Sequence, residues 1–232
     1  MISSWRDFWD RPHRIYVNDR HRRVHYARVA ADILDELPRA PGEVLDYGCG
    51  EALQAADVAA RCKRLLLCEA APSLRNALQA RYAGNPSIEV IAPEAIAALP
   101  DRSLDLVVAN SVLQYLTREE TAALVRTLRG KLAPDGRLIL ADVVPPGGGL
   151  VADVSSLLGT AARNGFLFAA IGGLALTLVS DYRRLRQAIG LTTYEEADIV
   201  ALLGQEGYRA ERRPRNFGFN RRRMTVIARP NR

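Results

Sequence analysis

VLDYGCGEA, residues 44–52, is the stretch that decides how this 232-residue chain reads. An apolar run with one aspartate leads straight into Gly48-Cys49-Gly50, the pattern of a buried strand that ends in a glycine turn and opens a helix. Asp46 stands two residues before the first glycine. A carboxylate there would repel a phosphate held by the turn, so the turn calls for another kind of ligand.

Downstream, short apolar runs alternate with helical patterns. Residues 43–47 are followed by a helix over 54–62, 64–68 by 72–82, 87–91 by a short helix over 94–99, and 104–109 by 117–132, after which comes 136–144. That alternation predicts an α/β fold, a doubly wound, mostly parallel sheet with helices on both faces. A helix over 195–205 and strands over 208–217 and 224–229 follow, the two strands joined by the short stretch 220–223. So short a connection suits a hairpin, which brings the sheet to seven strands with the last one antiparallel in the edge region. The whole chain is expected to form a single domain.

Upstream, VHYARVAADILDEL at 24–37 has apolar residues at helical spacing and predicts an N-terminal helix, stopped by Pro38 to Gly42. The arm before it, WRDFWDRPHRIYVNDRH at 5–21, is aromatic and basic, and the protein's three histidines, His13, His21 and His25, fall in the arm and the start of the helix.

The interval 145–193 is too long for a plain loop and predicts a helical insert or lid after the fifth strand. Within it, 164–180 is seventeen residues without a charge. Three readings stay open: a buried helix pair or lid over the site, an interfacial or dimer-forming patch that could also touch a membrane peripherally, and a membrane span at the lower limit of length.

A hydrophobic content of 48% with 25% charged residues excludes disordered and fibrous classes. The net charge of +6 is carried almost wholly by arginine, nine of them from Arg209 onward. Arg221-Arg222-Arg223 is thus a candidate basic surface for RNA, an anionic membrane or an acidic substrate, or simply a solvated turn. Cys49, Cys62 and Cys68 show no metal spacing, and no cleavable leader is apparent, so a reduced, cytoplasmic setting is expected, with membrane association open.

A turn between the first strand and first helix of such a sheet lies at the carboxyl edge, where nucleotides bind. S-adenosylmethionine carries a sulfonium and an ammonium and no phosphate, so it supplies the partner that Asp46 requires. Glu69 closes the second strand, 23 residues after Asp46, where it can accept both ribose hydroxyls.

With these residues in place, the chain resembles the class I S-adenosylmethionine-dependent methyltransferase family from about Val44 to the last strand. VLDYGCG, LCEA, LDLVVANSVLQYL and LAPDGRLILADV match the family's motifs in order and spacing. The resemblance implies that Asp46, Gly48, Cys49 and Gly50 hold the methionine portion, that Glu69 holds the ribose, that Ala70 lies against the adenine edge, and that Asn110 and Ser111 line the floor. Glu94 stands displaced from the family's usual acidic position and is the candidate for the adenine amine. Ala52 replaces a common third glycine.

Methyl transfer from a sulfonium is an in-line displacement whose leaving group needs no acid, so alignment and exclusion of water are the main work. A general base helps where the nucleophile carries a proton of high pKa. Candidates are His21, His25 and Tyr26 in the arm, while Gln114 and Tyr115 after the fourth strand could orient the acceptor. His21 and His25 share a helix face, but no third ligand accompanies them and no metal is expected. NSVLQY differs from the Asn/Asp-Pro-Pro-Tyr of base-amine methylation. With the apolar insert, it points to a small lipophilic acceptor. RNA methylation through the arginine-rich end, and a non-catalytic cofactor-binding scaffold, are the alternatives.

Overall fold

The computed structural model describes residues 5–10, 16–147, 158–167, 169–170 and 190–231. Five strands run parallel: β1 (Glu43–Tyr47), β2 (Arg64–Cys68), β3 (Ile88–Ile91), β4 (Leu104–Asn110) and β5 (Leu132–Val143). With β6 (Tyr208–Arg212) and β7 (Met224–Pro230) they make one seven-stranded sheet in the order β3-β2-β1-β4-β5-β7-β6. β7 is antiparallel to both β5 and β6, so the last strand sits inside the sheet and β6 forms the edge. The strand order reverses between β1 and β4, and the crevice at their carboxyl ends is where this architecture places a ligand.

The central parallel strands β1, β2 and β4 are buried on both faces, which explains their nearly unbroken apolar runs. Leu45, Leu66, Val107 and Leu138 face one core with Val125, Leu128 and Leu203, while Val44, Leu67, Val108 and Ile139 face the other with Ile33, Val58 and Leu78. The helices are α1 (Trp5–Trp9), α2 (Asp19–Leu34), α3 (Ala55–Ala59), α4 (Pro72–Tyr82), α5 (Arg118–Lys131) and α6 (Glu196–Gln205). Thr117 and Glu120 form a reciprocal capping box on α5, and Pro72 opens α4 where its missing N–H costs nothing.

Several boundaries differ from the sequence reading, among them α3, which ends at Ala59 rather than 62, and β5, which starts at Leu132 rather than 136; two have a clear local cause. The arm helix starts at Asp19, because the Asn18 side chain accepts the His21 N–H at 2.8 Å and caps a polar first turn that has no apolar periodicity. β6 stops at Arg212, just before Pro214, which has no N–H for a ladder. The connection to β7 therefore spans residues 213–223 rather than the four of 220–223. Its amides find side chains instead, Phe217 donating to Thr225 Oγ1 at 3.0 Å and Gly218 to Asp32 Oδ2 at 2.7 Å.

At the C-terminal end, the candidate basic surface is partly neutralised by pairing, while Arg221 and Arg222 stay exposed on their turn. Arg212 meets Glu196, Arg213 meets Glu36, Arg215 meets Asp32, Arg223 meets Asp142 and Arg229 meets Glu211. Of the expected insert, residues 158–164 are helical, and residues 171–180 of the uncharged run lie outside the described residues. Among the described residues no helix is long and apolar enough to cross a membrane.

Candidate active site

The turn after β1 is shaped by close approach. Gly48 and Gly50 have φ of 72° and 60°, and a Cβ on them would lie 2.5 Å from Val112 Cγ2 and 2.7 Å from the Tyr26 hydroxyl. Only glycine enters that backbone region without cost. The N–H groups of Gly48 and Cys49 both donate to the Cys68 carbonyl, at 2.8 and 3.2 Å, which draws the ends of β1 and β2 together.

Glu69 completes the junction. Gly50 N–H donates to its Oε2 and Ala71 N–H to its Oε1, each at 2.9 Å. Arg75, which the sequence reading missed, holds the carbonyls of Glu69 and Ala70 at 2.9 and 2.8 Å. Glu94 begins the 3-10 turn after β3, and its charge reaches Cys68.

Asp46 is 8% exposed. Burial, with the Glu69 charge second, pushes its carboxyl up from 3.8 to about 7. Burial likewise pushes the Cys49 thiol well up, which keeps it protonated and unreactive.

The floor is formed by the ends of β4 and β5. Ser111 and Asp142 have φ of 59° and 60°, unusual for residues with a Cβ. The buried Oδ1 of Asn110, and that of Gln54 Oε1 beneath the turn, find no hydrogen-bond partner among the described residues. Asp142, also missed, accepts from Ser111 Oγ at 2.6 Å, from Arg223 Nη1 at 2.6 Å and from Asn216 Nδ2 at 3.2 Å.

The arm crosses this edge of the sheet. Trp5 and Trp9 pack on Tyr115 with ring centroids 4.6 and 5.7 Å away, and Ser73 at the start of α4 donates its N–H to Asp10 Oδ1 at 2.7 Å. Farther on, Tyr16 is ringed by His21, His25 and Tyr26 at 5.4 to 5.9 Å, and His21 stacks on Phe166 of the insert at 5.1 Å.

The candidate side chains thus have different surroundings. The Tyr26 hydroxyl accepts the Glu51 N–H at 2.9 Å, and burial raises it to about 12, so it braces the turn. His21 Nδ1 takes the Val17 N–H at 3.4 Å, and burial, then the neighbouring His25, lowers its pKa to about 4. Gln114 is engaged at both ends, donating to the Ser111 carbonyl at 3.2 Å and accepting from Arg223 at 3.3 Å. Tyr115 is packing for the arm tryptophans. His25 is buried and held neutral by that burial, with the Asp142 charge opposing the shift. Among the described residues no cluster of three metal-ligating side chains occurs.

Comparison with known proteins agrees with this geometry. The sequence pattern of the methyltransferase domain family matches residues 45–140. The chain is 33% identical over 152 residues to a trans-aconitate 2-methyltransferase of Methylobacterium radiotolerans, covering 64% of this chain and 55% of that one. It therefore spans about half the length of that curated relative. Among solved structures, magnesium protoporphyrin IX methyltransferase from Synechocystis with bound SAH aligns over 98% of this chain and 93% of that one, with a TM-score of 0.57 and 20% identity. The Haemonchus contortus phosphoethanolamine N-methyltransferase 1, in complex with phosphoethanolamine and S-adenosylhomocysteine, aligns over 98% of this chain and 47% of that one, with a TM-score of 0.63 and 18% identity. At such identities the structural likeness speaks for the fold.

The residues present fit a cationic, donor-rich nucleoside. The turn has no room for side chains at Gly48 and Gly50, Asp46 is a buried carboxylate that a cation would relieve, and Asn110 Oδ1 is an acceptor awaiting a donor.

Proposed function

Taking the chain as a class I S-adenosylmethionine-dependent methyltransferase, the family supported by its fold and its matched region, we propose that it transfers a methyl group to a small, largely apolar acceptor. The observation that carries the cofactor reading is Asp46, a carboxyl buried beside the glycine turn and pushed up to about 7 by that burial and then by the Glu69 charge, a setting in which a cation would be favoured. Bound S-adenosylmethionine supplies an electrophilic methyl on a sulfonium. Asp46 would hold the methionine ammonium, Glu69 the ribose, and Asn110 a donor at the floor, while Gly48 and Gly50, whose N–H groups are taken up within the protein, leave room beside the turn for the methionine carboxylate. Ala70, Cys49 and Ser111 complete the cradle by shape, and Glu94 is the acidic group available to the adenine amine.

His25 is the group we assign to proton removal from the acceptor. A neutral imidazole accepts the proton as the acceptor atom bonds to the methyl carbon, and the charge so formed is eased by Asp142, whose field already acts on His25. His21 has its Nδ1 lone pair committed and is a weaker base. The aromatic surround of Tyr16, His21 and Phe166 favours an apolar or planar acceptor and excludes water from the reacting atoms. The relatives named for trans-aconitate and magnesium protoporphyrin IX are likewise named for small acceptors. RNA as acceptor is the weaker reading, because five of the C-terminal arginines, Arg223 of the basic run included, face carboxylates.

Calorimetric titration with S-adenosylhomocysteine and transfer of labelled methyl into metabolite, lipid and RNA fractions test the reading. Uptake into a small-molecule fraction is expected, with His25→Ala lowering it by roughly 10²–10⁴ and leaving S-adenosylhomocysteine affinity within about threefold. Uptake into RNA alone would sink the acceptor assignment, and tight cofactor binding with no uptake anywhere would leave a scaffold. Full activity in His25→Ala would remove the base.

A further inference from the structure

The floor of the site contains a closed ring of hydrogen bonds through Ser111, Asp142, Arg223 and Gln114. Ser111 Oγ donates to Asp142 Oδ2 at 2.6 Å. Arg223 Nη1 donates to the same oxygen at 2.6 Å and to Gln114 Oε1 at 3.3 Å. Gln114 Nε2 donates back to the Ser111 carbonyl at 3.2 Å. The ring joins the ends of β4 and β5, the 3-10 turn at Leu113–Tyr115 and the β6–β7 connection. Asn216 braces it from outside, exchanging bonds of 3.2 Å with both the backbone N–H and the carboxylate of Asp142 and accepting from Thr225 Oγ1 at 2.8 Å.

Two members of the ring, Ser111 and Asp142, sit in the left-handed region at φ of 59° and 60°. Residues with a Cβ stay there only when their surroundings hold them. Asn110, whose buried Oδ1 awaits a donor, directly precedes Ser111, so its aim depends on that backbone. The Arg223 side chain is 13% exposed and that of Asp142 is 16% exposed, so water competes little for the pair. Both bonds leave the same Nη1, and the rigid planar guanidinium fixes that nitrogen at a place the flexible stem of a lysine does not hold its ammonium.

We propose that Arg223 is a positioning residue: by closing the ring it holds Ser111 and Asp142 left-handed and keeps the floor, Asn110 included, in its binding conformation before the ligand arrives. The inference rests on the cofactor reading of this crevice and adds to it a residue from the far end of the chain.

The test is calorimetric affinity for S-adenosylhomocysteine, with urea unfolding of each protein alongside. Arg223→Met should weaken binding about tenfold, the factor that matches loss of one strained backbone residue. Arg223→Lys should recover little of it. In a Ser111→Gly background the Arg223→Met change should cost less than about threefold, since glycine takes positive φ without help. A purely structural arginine would cost the same in both backgrounds, and that result overturns the proposal, as does full affinity in Arg223→Met or full recovery in Arg223→Lys. Should Arg223→Met fail to fold, Arg223→Lys carries the two-background comparison. Asp46→Asn, run in parallel, separates the failures. If it binds as the parent does, or if the parent binds nothing, the cofactor reading falls; if it loses affinity while Arg223→Met keeps it, only the role of Arg223 falls.

Discussion

The Gly50 N–H donates to Glu69 Oε2 at 2.9 Å, so the turn after β1 is fastened to the end of β2 by the same carboxylate assigned to the ribose. Its other oxygen holds the Ala71 N–H. Glu69→Ala leaves two amides without acceptors and should cost about 2–4 kcal/mol by urea unfolding, at about 1–2 kcal/mol each. Glu69→Gln keeps one oxygen acceptor and should lose roughly half of that. Equal stability in the alanine variant would show that the bonds are exchanged freely for water.

Asp46 makes stability and binding respond to pH in opposite directions. Its carboxyl titrates at about 7 in the fold against 3.8 when free, so between those values the folded chain holds the extra proton. The stability this group contributes is whole below about pH 4, declines as pH rises and is gone above about pH 7. Asp46→Asn should therefore stabilise the ligand-free protein at pH 8 by about 1–2 kcal/mol, and by less at pH 5. Affinity for the cationic cofactor should instead fall about tenfold per pH unit below 7 in the parent and lose that slope in the variant. Unfolding curves and titrations at both pH values check the pair, and a pH-independent gain in stability would refute the assignment.

Both tryptophans of the protein, Trp5 and Trp9, lie in α1 of the arm, against Tyr115. Their fluorescence is consequently a report on arm docking alone. Tyr115→Ala should shift the emission to the red and expose the arm to protease at native temperature, at a cost of about 1–2 kcal/mol or less to global unfolding. An unshifted spectrum would mean that the arm stays docked without this contact.

Lys131 is 8% exposed, and its ammonium donates to the Ala97 and Leu99 carbonyls at 3.0 and 2.7 Å and to Asp101 at 2.6 Å. Lys131→Met strands two carbonyls and should destabilise by about 2–3 kcal/mol. Asp101→Ala removes a side chain that is 76% exposed and should cost under about 1 kcal/mol. Thermal unfolding of the two variants decides, and equal losses would contradict the ranking.

Much of the fold was legible because parallel strands buried on both faces leave apolar runs bounded by helical spacing, as 64–68 and 104–110 do. The start of α2 was hidden because residues 19–23 are polar, although Asn18-Asp19 carried a cap signal. The end of β6 was overrun because the apolar Phe217 beyond Pro214 is buried by side-chain bonding, not by a ladder. In the site, Asp46 and Glu69 were readable from local pattern. Asp142 stands at the end of β5 as Asp46 stands near the end of β1, a signal that strand position alone offered. Arg223 was legible only as part of the basic run 221–223, because its partner Asp142 is 81 residues away. Tyr115 and Gln114 looked like acceptor contacts by position, and only packing reveals what occupies them.

β7 comes after β6 in the chain yet lies between β6 and β5. During synthesis, β1 to β5 can pair among themselves, while β6 has no neighbour and β5 keeps one side of its backbone bare until residues 224–230 emerge. An unpaired edge of that length is a template for other chains and a foothold for proteases. The same late segment delivers Arg223 to Asp142, so the edge is sealed and the floor is locked in one event. Quality control that recognises open β edges would thus remove chains with an unfinished site, and the cell would see this protein either complete or not at all.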